Sequence, residues 1–154
     1  MKISSSAFKQ GGIIPSRFTC EGANVNPPLE ISAVPKNAKS LALIMDDPDV
    51  PPQVRPDRMW VHWVLYNMPP DTHHINEAED APGIQGKTTF GHHRYGGPCP
   101  PDREHRYFFK LYALDCETLN VAEDAGKKEV ENAMRGHIIA EVELMGRYEK
   151  GKGY

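Results

Sequence analysis

The sequence predicts an all-β domain, arranged as a β-sandwich with one helix packed at its edge. Four apolar runs have the length and composition of strands, and none is long enough for a lone helix. Proline-rich segments separate them, and proline is excluded from central strands and helix interiors. Near the C-terminus, residues 126–135 place Val130, Ala133 and Met134 on one helical face, and Gly136 is positioned to end that helix. One helix beside several strands is typical of such a sandwich.

The predicted strands are residues 41–45, 61–66, 107–114 and 138–145. The last of these alternates between apolar and charged side chains, as a half-buried strand does. Residues 71–89 are polar enough to form one long surface loop within the domain. We find no internal repeat and no linker with a shift in composition, so residues 1–154 are predicted to form a single domain.

The composition argues against two classes of partner. The chain has 18 Lys and Arg against 21 Asp and Glu, a formal net charge of −3, and no long stretch is dominated by one sign. No nucleic-acid partner and no stable membrane insertion are therefore expected. Residues 1–12 carry two Lys and a polar serine run in place of an apolar segment, so they predict neither a signal peptide nor a spanning helix.

The three cysteines, Cys20, Cys99 and Cys116, are odd in number and widely spaced. They form neither a disulfide framework nor a CxxC metal motif. Reduced thiols are therefore expected. The expected compartment, from the absence of a signal-peptide pattern in residues 1–12, is the cytoplasm.

Polar side chains cluster where predicted strands meet proline-rich loops, which is where a rigid scaffold usually presents function. Asp47 follows an apolar strand, Trp60 and His62 share one face of the next strand, and His105 and Tyr107 share one face at the start of another. Each cluster also has a structural interpretation. Asp and Pro are common in turns, and a strand histidine is often merely half buried.

A glycine pair, Gly96 and Gly97, precedes the prolines of residues 98–101. Glycine lets backbone N–H groups approach a ligand closely, and the prolines stiffen the wall beside them. This combination favours an oxyanion site. The alternative is a tight loop in which proline serves rigidity alone.

Taken together, the motifs resemble the phosphatidylethanolamine-binding protein family, also called Raf-kinase-inhibitor-like, in its short bacterial and archaeal branch. The matching segments, in order, are residues 18–22, 26–29, 47–49, 62–63, 95–101, 105–107, 111–115 and 133–138. The resemblance implies a Greek-key β-sandwich with a pocket for a small anion or a phosphorylated small molecule, and no cofactor. Carried over by position, the anion pocket consists of Asp47, Trp60, His62, Gly97, Pro100, His105 and Tyr107.

The resemblance leaves the partners open. A kinase or a protease regulated through the pocket is one alternative, and a homodimer is another. Residues 50–58 differ from the family's usual small-residue loop, so ligand selectivity does not transfer. The chain also lacks the extra C-terminal helix of the eukaryotic relatives, so their lipid affinity and kinase regulation are not assumed.

Two chemical alternatives compete with simple binding. Cys99 and His105 could pair as nucleophile and base, but Pro98 and Pro100 flank Cys99, so the following residue offers no N–H to an oxyanion hole. Nucleophilic catalysis is therefore not expected, and we predict that the chain is not an enzyme. The second alternative is a metal-dependent hydrolase or oxygenase, since His62, His105 and Asp47 have the ligand types of a two-histidine, one-carboxylate centre.

The pattern also predicts three details of the pocket. The Asp47 carboxylate is expected to accept a hydrogen bond from His62 or His105 and so to orient the ring. The Val50–Pro51 peptide is a candidate for the cis form, because X-Pro bonds adopt it at low cost. Two histidines facing the ligand would become cationic below about pH 6.5, so oxyanion affinity is expected to rise from about pH 8 to about pH 6.

Overall fold

The computed structural model describes all 154 residues and is mostly β-sheet with one α-helix. The strands are β1 (Lys2–Ser4), β2 (Leu29–Ser32), β3 (Ser40–Asp47), β4 (Trp60–Met68), β5 (His74–Ile75), β6 (Ile84–Gln85), β7 (His105–Leu114) and β8 (Ile138–Tyr148). The helix α1 spans Lys127–Met134, and a 3₁₀ turn spans Ser16–Phe18. The predicted class, mostly strands with one helix, is confirmed. No helix has the length and apolar character needed to cross a membrane.

The strands form two antiparallel sheets. The larger has the order β6-β4-β3-β7-β8, and the smaller has the order β1-β2-β5. Side chains of both sheets, among them Ile31 of β2 and Leu43 of β3, belong to one buried cluster. The sheets therefore pack against each other. The Greek-key connectivity implied by the family resemblance stays a prediction.

Strand β3 is buried on both faces. Leu41, Leu43 and Met45 lie in the cluster between the sheets, whereas Ala42 and Ile44 lie in a second cluster. Because successive strand residues point to opposite faces, a strand covered on both sides needs a continuous apolar run. This explains the unbroken apolar sequence that predicted the strand.

Helix α1 covers the second face of the larger sheet. Val130 and Met134 are buried against this face, in the same cluster as Ile44. Gly136 has φ +85° directly after the helix, a left-handed conformation that glycine adopts without steric cost. The predicted helix is therefore confirmed, with Gly126 as its N-cap.

The four predicted strands are present; β3 and β4 extend beyond both predicted ends, and β7 and β8 extend beyond one. Strands β1, β2, β5 and β6 were not predicted, because they have only two to four residues and show too little periodicity. The prediction of one long loop over residues 71–89 was accordingly wrong. That segment contains β5 and β6, which pair with β2 and β4.

Cys20 and Cys99 form a disulfide, so the prediction of reduced thiols was wrong for this pair. Their separation of 79 residues gives no sign of pairing, but the fold brings their Cα atoms within 5.5 Å. The Cys20 N–H also donates to the carbonyl oxygen of Pro98 at 3.1 Å, so the two segments lie side by side. Cys116 is a free thiol. The expected cytoplasmic location loses the support that reduced thiols would have lent it.

Opening this disulfide should destabilise the protein. A cross-link that closes a loop of 79 residues restricts the unfolded chain, and such bonds typically contribute about 2–4 kcal/mol. We therefore expect urea unfolding in dithiothreitol, or of the double variant C20S/C99S, to show a loss of about that size. C116S is the matched control. Its free energy of unfolding should fall in dithiothreitol by the same amount as that of the wild type. Three thiols reacting in denatured, non-reduced protein, in place of one, would contradict the disulfide.

Candidate functional site

A cavity of about 200 Å³ lies where the end of β3 meets the first residues of β4 and β7. Because β3 is antiparallel to both neighbours, its last residue faces their first residues. The lining residues are Asp47, Val50, Val54, Trp60, His62, Phe90, Cys99, Pro100, Pro101, His105 and Tyr107. Six of the seven predicted pocket residues are therefore brought together, and Gly97 is not among the lining residues.

Asp47 is buried and uses both of its carboxylate oxygens. Oδ1 accepts the backbone N–H of Asp49 at 2.7 Å, and Oδ2 accepts from Nδ1 of His105 at 2.6 Å. The first bond turns the chain at the end of β3, as Asp side chains commonly do. No peptide bond is cis, so the prediction of a cis Val50–Pro51 bond was wrong, since the Asp47 turn changes the chain direction without it.

The expected bond between Asp47 and a histidine is confirmed for His105, which is clamped between two carboxylates. His105 Nδ1 faces Asp47 Oδ2 at 2.6 Å, and Nε2 faces Asp102 Oδ1 at 2.7 Å. A neutral imidazole has one N–H, so both bonds form together only if the ring is imidazolium or if one carboxyl keeps a proton. His105 therefore has no ring nitrogen left for a ligand.

The two carboxylates differ in their environments. Burial raises the pKa of Asp47, and the hydrogen bond from His105 offsets only part of this effect. The hydrogen bond from His105 lowers the pKa of Asp102, which is more exposed to water. Sequence reasoning missed Asp102. Its spacing of three residues from His105 was the available signal, but only the turn before β7 brings the two side chains together.

His62 is neutral and presents a lone pair. Its Nδ1 donates to the carbonyl oxygen of Gly96 at 2.6 Å, which leaves Nε2 unprotonated in the neutral ring. Burial lowers the pKa of His62 to about 4. The expectation that His62 becomes cationic between pH 8 and pH 6 was therefore wrong, because the buried ring excludes the water that would stabilise its charge.

Two hydrogen-bond donors lining the cavity have no partner within the chain. They are the Nε1–H of Trp60 and the hydroxyl of Tyr107, both buried. Burial, reinforced by the negative charge of Asp47, raises the pKa of Tyr107, so its hydroxyl stays protonated as a donor. The cavity thus offers two unpaired donors and, at His62 Nε2, one acceptor.

The glycine pair serves packing within the fold. The N–H of Gly96 donates to the carbonyl oxygen of His62 at 2.9 Å, and that of Gly97 donates to Asn24 Oδ1 at 2.8 Å. A Cβ atom on Gly97 would overlap the carbonyl oxygen of Phe18, so only glycine fits there. Neither N–H is free for a ligand, in contrast to the expected role of this loop.

Charges around the cavity balance one another. Arg106 pairs with Asp49 at 2.8 Å, and Arg103 lies 3.6 Å from Asp102. The guanidinium of Arg106 holds the pKa of Asp49 below its usual range. The two hydrogen bonds of His105 require one further proton, on the ring or on a carboxyl, and with it Asp47, Asp49, Asp102, Arg103, Arg106 and His105 together carry no net charge. Directional donors, and no net positive field, therefore define the chemistry of this site.

The mouth of the cavity is apolar, and sequence reasoning missed the residues that form it. Val54 and Phe90 line the cavity and are exposed at 49% and 39%, unusual values for such side chains. Phe90 also packs edge-on against the rings of Trp60 and His62, with centroids 5.4 Å apart in each pair. The exposure of an apolar side chain is a tertiary property that no local pattern revealed.

The geometry does not support a metal centre built from His62, His105 and Asp47. Both ring nitrogens of His105 bind carboxylates, so the ring would ligate a metal only by giving up Asp47 or Asp102. These residues also do not form a cluster of converging ligand atoms of the kind that holds an ion.

The fold and the cavity define a small, mostly β protein with a largely apolar pocket, which contains a few polar groups, at one end of its central strands. The sequence pattern of the family described as phosphatidylethanolamine-binding protein matches residues 4–149. The chain belongs to this family.

Relatives cover nearly the whole chain. A protein of Chlamydia trachomatis serovar D, named only as a UPF0098 protein, is 48% identical over 97% of this chain and 99% of its own length. A UPF0098 protein of Methanothermobacter thermautotrophicus is 46% identical over 98% of this chain and 100% of its own length.

Solved structures agree with these relatives. A phosphatidylethanolamine-binding protein homologue from Chlamydia trachomatis has a TM-score of 0.93 and 48% identity, with 96% of each chain covered. Escherichia coli YbcL, described as a member of the mammalian family, has a TM-score of 0.85 and 29% identity, with 96% of this chain and 97% of its own covered.

The buried neutral His62 should make the fold sensitive to acid. Between pH 6.5 and about 4 the unfolded chain takes up a proton at His62 that the folded chain does not, so stability falls as the pH drops through this window. At about 1.4 kcal/mol per pH unit, the loss reaches about 3 kcal/mol. Histidine NMR signals should give a midpoint for His62 near pH 4.

H62N separates this effect from other acid-titrating groups. Its amide can still donate to the Gly96 carbonyl oxygen but does not titrate, so its stability should fall less over the same pH range. The raised pKa of Asp47 acts in the opposite direction, stabilising the fold as that carboxyl takes up a proton, and it is present in both proteins. A His62 midpoint near 6.5, with equal acid sensitivity of the two proteins, would contradict the assignment.

Proposed function

We propose that this chain binds a small oxyanion, most favourably a phosphorylated small molecule, and that it does not catalyse a reaction. The observation that carries the proposal is the pair of unpartnered donors, Trp60 Nε1–H and the Tyr107 hydroxyl, in the wall of the cavity. A buried donor without a partner costs about 1–3 kcal/mol. The oxygens of a phosphate or carboxylate group would satisfy both donors.

The lone pair of His62 Nε2 favours a ligand that also carries a hydroxyl. A phosphomonoester has a second pKa of about 6, so its monoanion offers one P–OH group together with acceptor oxygens. The acceptor oxygens complement the donors of Trp60 and Tyr107, and the P–OH group complements the acceptor at His62 Nε2. A sulfate ester has only acceptors in this pH range and would leave the His62 lone pair without a partner.

The dimensions support binding of a phosphoryl group with a short substituent. A cavity of about 200 Å³ is smaller than the about 300–1,000 Å³ of typical ligand pockets. The exposed side chains of Val54 and Phe90 would contact whatever the phosphoryl group carries. A kinase or protease regulated through this pocket would have to present a phosphorylated side chain in the same way, and free ligand would compete with it.

Three features support binding without turnover. Cys99, the one cysteine at the cavity, is held in a disulfide with Cys20, so it offers no thiolate. His105 has both ring nitrogens engaged, and His62 has no hydroxyl or thiol partner to activate. Nucleophilic catalysis needs such a pair within hydrogen-bond reach.

Methyl phosphate and methyl sulfate, a matched pair of ligands, test the proposal by calorimetry at pH 8, 7 and 6. Methyl phosphate affinity should rise on acidification, by at most about tenfold per pH unit, because the monoanion is the species that His62 accepts. Methyl sulfate affinity should stay weak and nearly constant. Absence of methyl phosphate binding at all three pH values would contradict the proposal. An equal rise in affinity for both ligands would place the titrating group on the protein.

Y107F should weaken methyl phosphate binding by about tenfold or more, since hydrogen bonds to charged groups contribute about 1.5–3 kcal/mol. The phenyl ring remains, so the cavity keeps its shape. Y66F is the matched control, because Tyr66 is buried but does not line this cavity. Unchanged affinity in Y107F would show that its hydroxyl does not contact the ligand.

A further inference from the structure

Three side chains with metal-binding groups meet at the end of the larger sheet opposite the cavity. Asp115 and Cys116 directly follow β7, and His137 directly precedes β8. One ligand atom from each of the three residues lies within 4.8 Å of the others. Since β7 has ten residues, this group lies about 30 Å from the cavity residues at its other end.

The backbone holds the three residues in place. The N–H of Asp115 donates to the carbonyl oxygen of His137 at 2.9 Å, and the N–H of His137 donates to that of Met134 at 2.9 Å. Ser40 Oγ donates to the carbonyl oxygen of Cys116 at 2.6 Å. Gly136 makes the sharp turn from α1 into β8 that brings His137 beside β7. The positions of the ligands are thus set by the sheet and the helix end.

The side chains themselves remain adjustable. His137 Nδ1 and Asp115 Oδ1 are 2.8 Å apart, and these side chains are 47% and 49% exposed. Cys116 is a free thiol of intermediate burial. Donor atoms around a tetrahedral Zn²⁺ lie about 3.3–3.6 Å apart, given metal–ligand bonds of about 2.0–2.3 Å. Shifts of about 1 Å in half-exposed side chains would reach that geometry.

We propose that Asp115, Cys116 and His137 form a binding site for a divalent transition-metal ion of the zinc class. A thiolate, an imidazole and a carboxylate are all recognised zinc ligands, and the exposed side leaves a fourth position for water. One oxygen ligand beside sulfur and nitrogen does not suit Mg²⁺ or Ca²⁺, which prefer sites built of oxygen. The bound ion would join the end of β7 to the turn between α1 and β8.

This site is independent of the oxyanion cavity and of its proposed function. Sequence reasoning missed it, because helix α1 separates His137 from the other two ligands and no CxxC spacing marks them. The competing interpretation is a surface ion pair between Asp115 and His137 with an unrelated cysteine nearby, a common arrangement of little energetic consequence.

Titration of untagged, metal-free protein with Co²⁺ tests the proposal, because a cobalt–thiolate bond produces a near-ultraviolet charge-transfer band. We expect a single equivalent of Co²⁺ to produce this band. Added Zn²⁺ should displace the bound Co²⁺ and abolish the band. Bound Zn²⁺ should also raise the unfolding temperature. The absence of the band at saturating Co²⁺ would overturn the proposal.

Variants identify the ligands. C116S should abolish the charge-transfer band, and H137N should weaken Zn²⁺ binding by at least about tenfold. H73N is the matched control, because His73 and His74 form a second exposed pair, with ring centroids 4.4 Å apart. Zn²⁺ affinity that survives both C116S and H137N, or that is lost in H73N alone, would overturn the assignment. Circular dichroism of each variant shows whether a loss of binding reflects a loss of fold.

Discussion

The buried hydrogen bond between Asp47 and His105 is the constraint on which the pocket depends. It joins the last residue of β3 to the first residue of β7, and both side chains are almost fully removed from water. Removing one partner of such a buried pair typically costs about 3–5 kcal/mol, because the other is left uncompensated. Asp102 and the N–H of Asp49 satisfy the remaining capacity of the pair. The positions of the side chains that line the cavity therefore depend on the pairing of Asp47 with His105 at the end of β3.

The same strand end also anchors the helix. Asp46 precedes Asp47 and points to the opposite face, where Oδ2 accepts from Lys110 at 3.1 Å and from Lys127 at 2.8 Å. Lys127 is the first residue of α1. Two consecutive carboxylates thus hold structures on both faces of the sheet, one the pocket and the other the helix. The Asp-Asp pair in the sequence reflects this division, since neighbouring strand residues face opposite ways.

One wall of the pocket is assembled from two segments that are distant in sequence. Residues 95–101 are tied to residues 18–24 by the Cys20–Cys99 disulfide, by the bond from Gly97 to Asn24, and by that from the Tyr95 hydroxyl to the Phe18 carbonyl oxygen at 2.7 Å. The N-terminal motif of the family resemblance is thus a support for the pocket wall. Cys20 of this motif and Cys99, between Pro98 and Pro100, belong to one structural unit.

The sequence alone determined the elements whose signals are local. The long strands show apolar periodicity over many residues, and the helix has its own spacing and terminal glycine. Five pocket residues lie near strand ends that antiparallel pairing brings together, and Pro100 lies in the loop before β7. The short strands, the disulfide, the position of Asp102 beside His105 and the trans Val50–Pro51 peptide were decided by contacts between remote segments.

Protonation and hydrogen bonding were also decided by contacts between remote segments. His62 is neutral because other parts of the chain bury it, and the donors of Trp60 and Tyr107 are unpaired because no acceptor in the folded chain meets them in hydrogen-bond geometry. Burial and the supply of partners are properties of the assembled chain, so a pattern read along the sequence does not contain them.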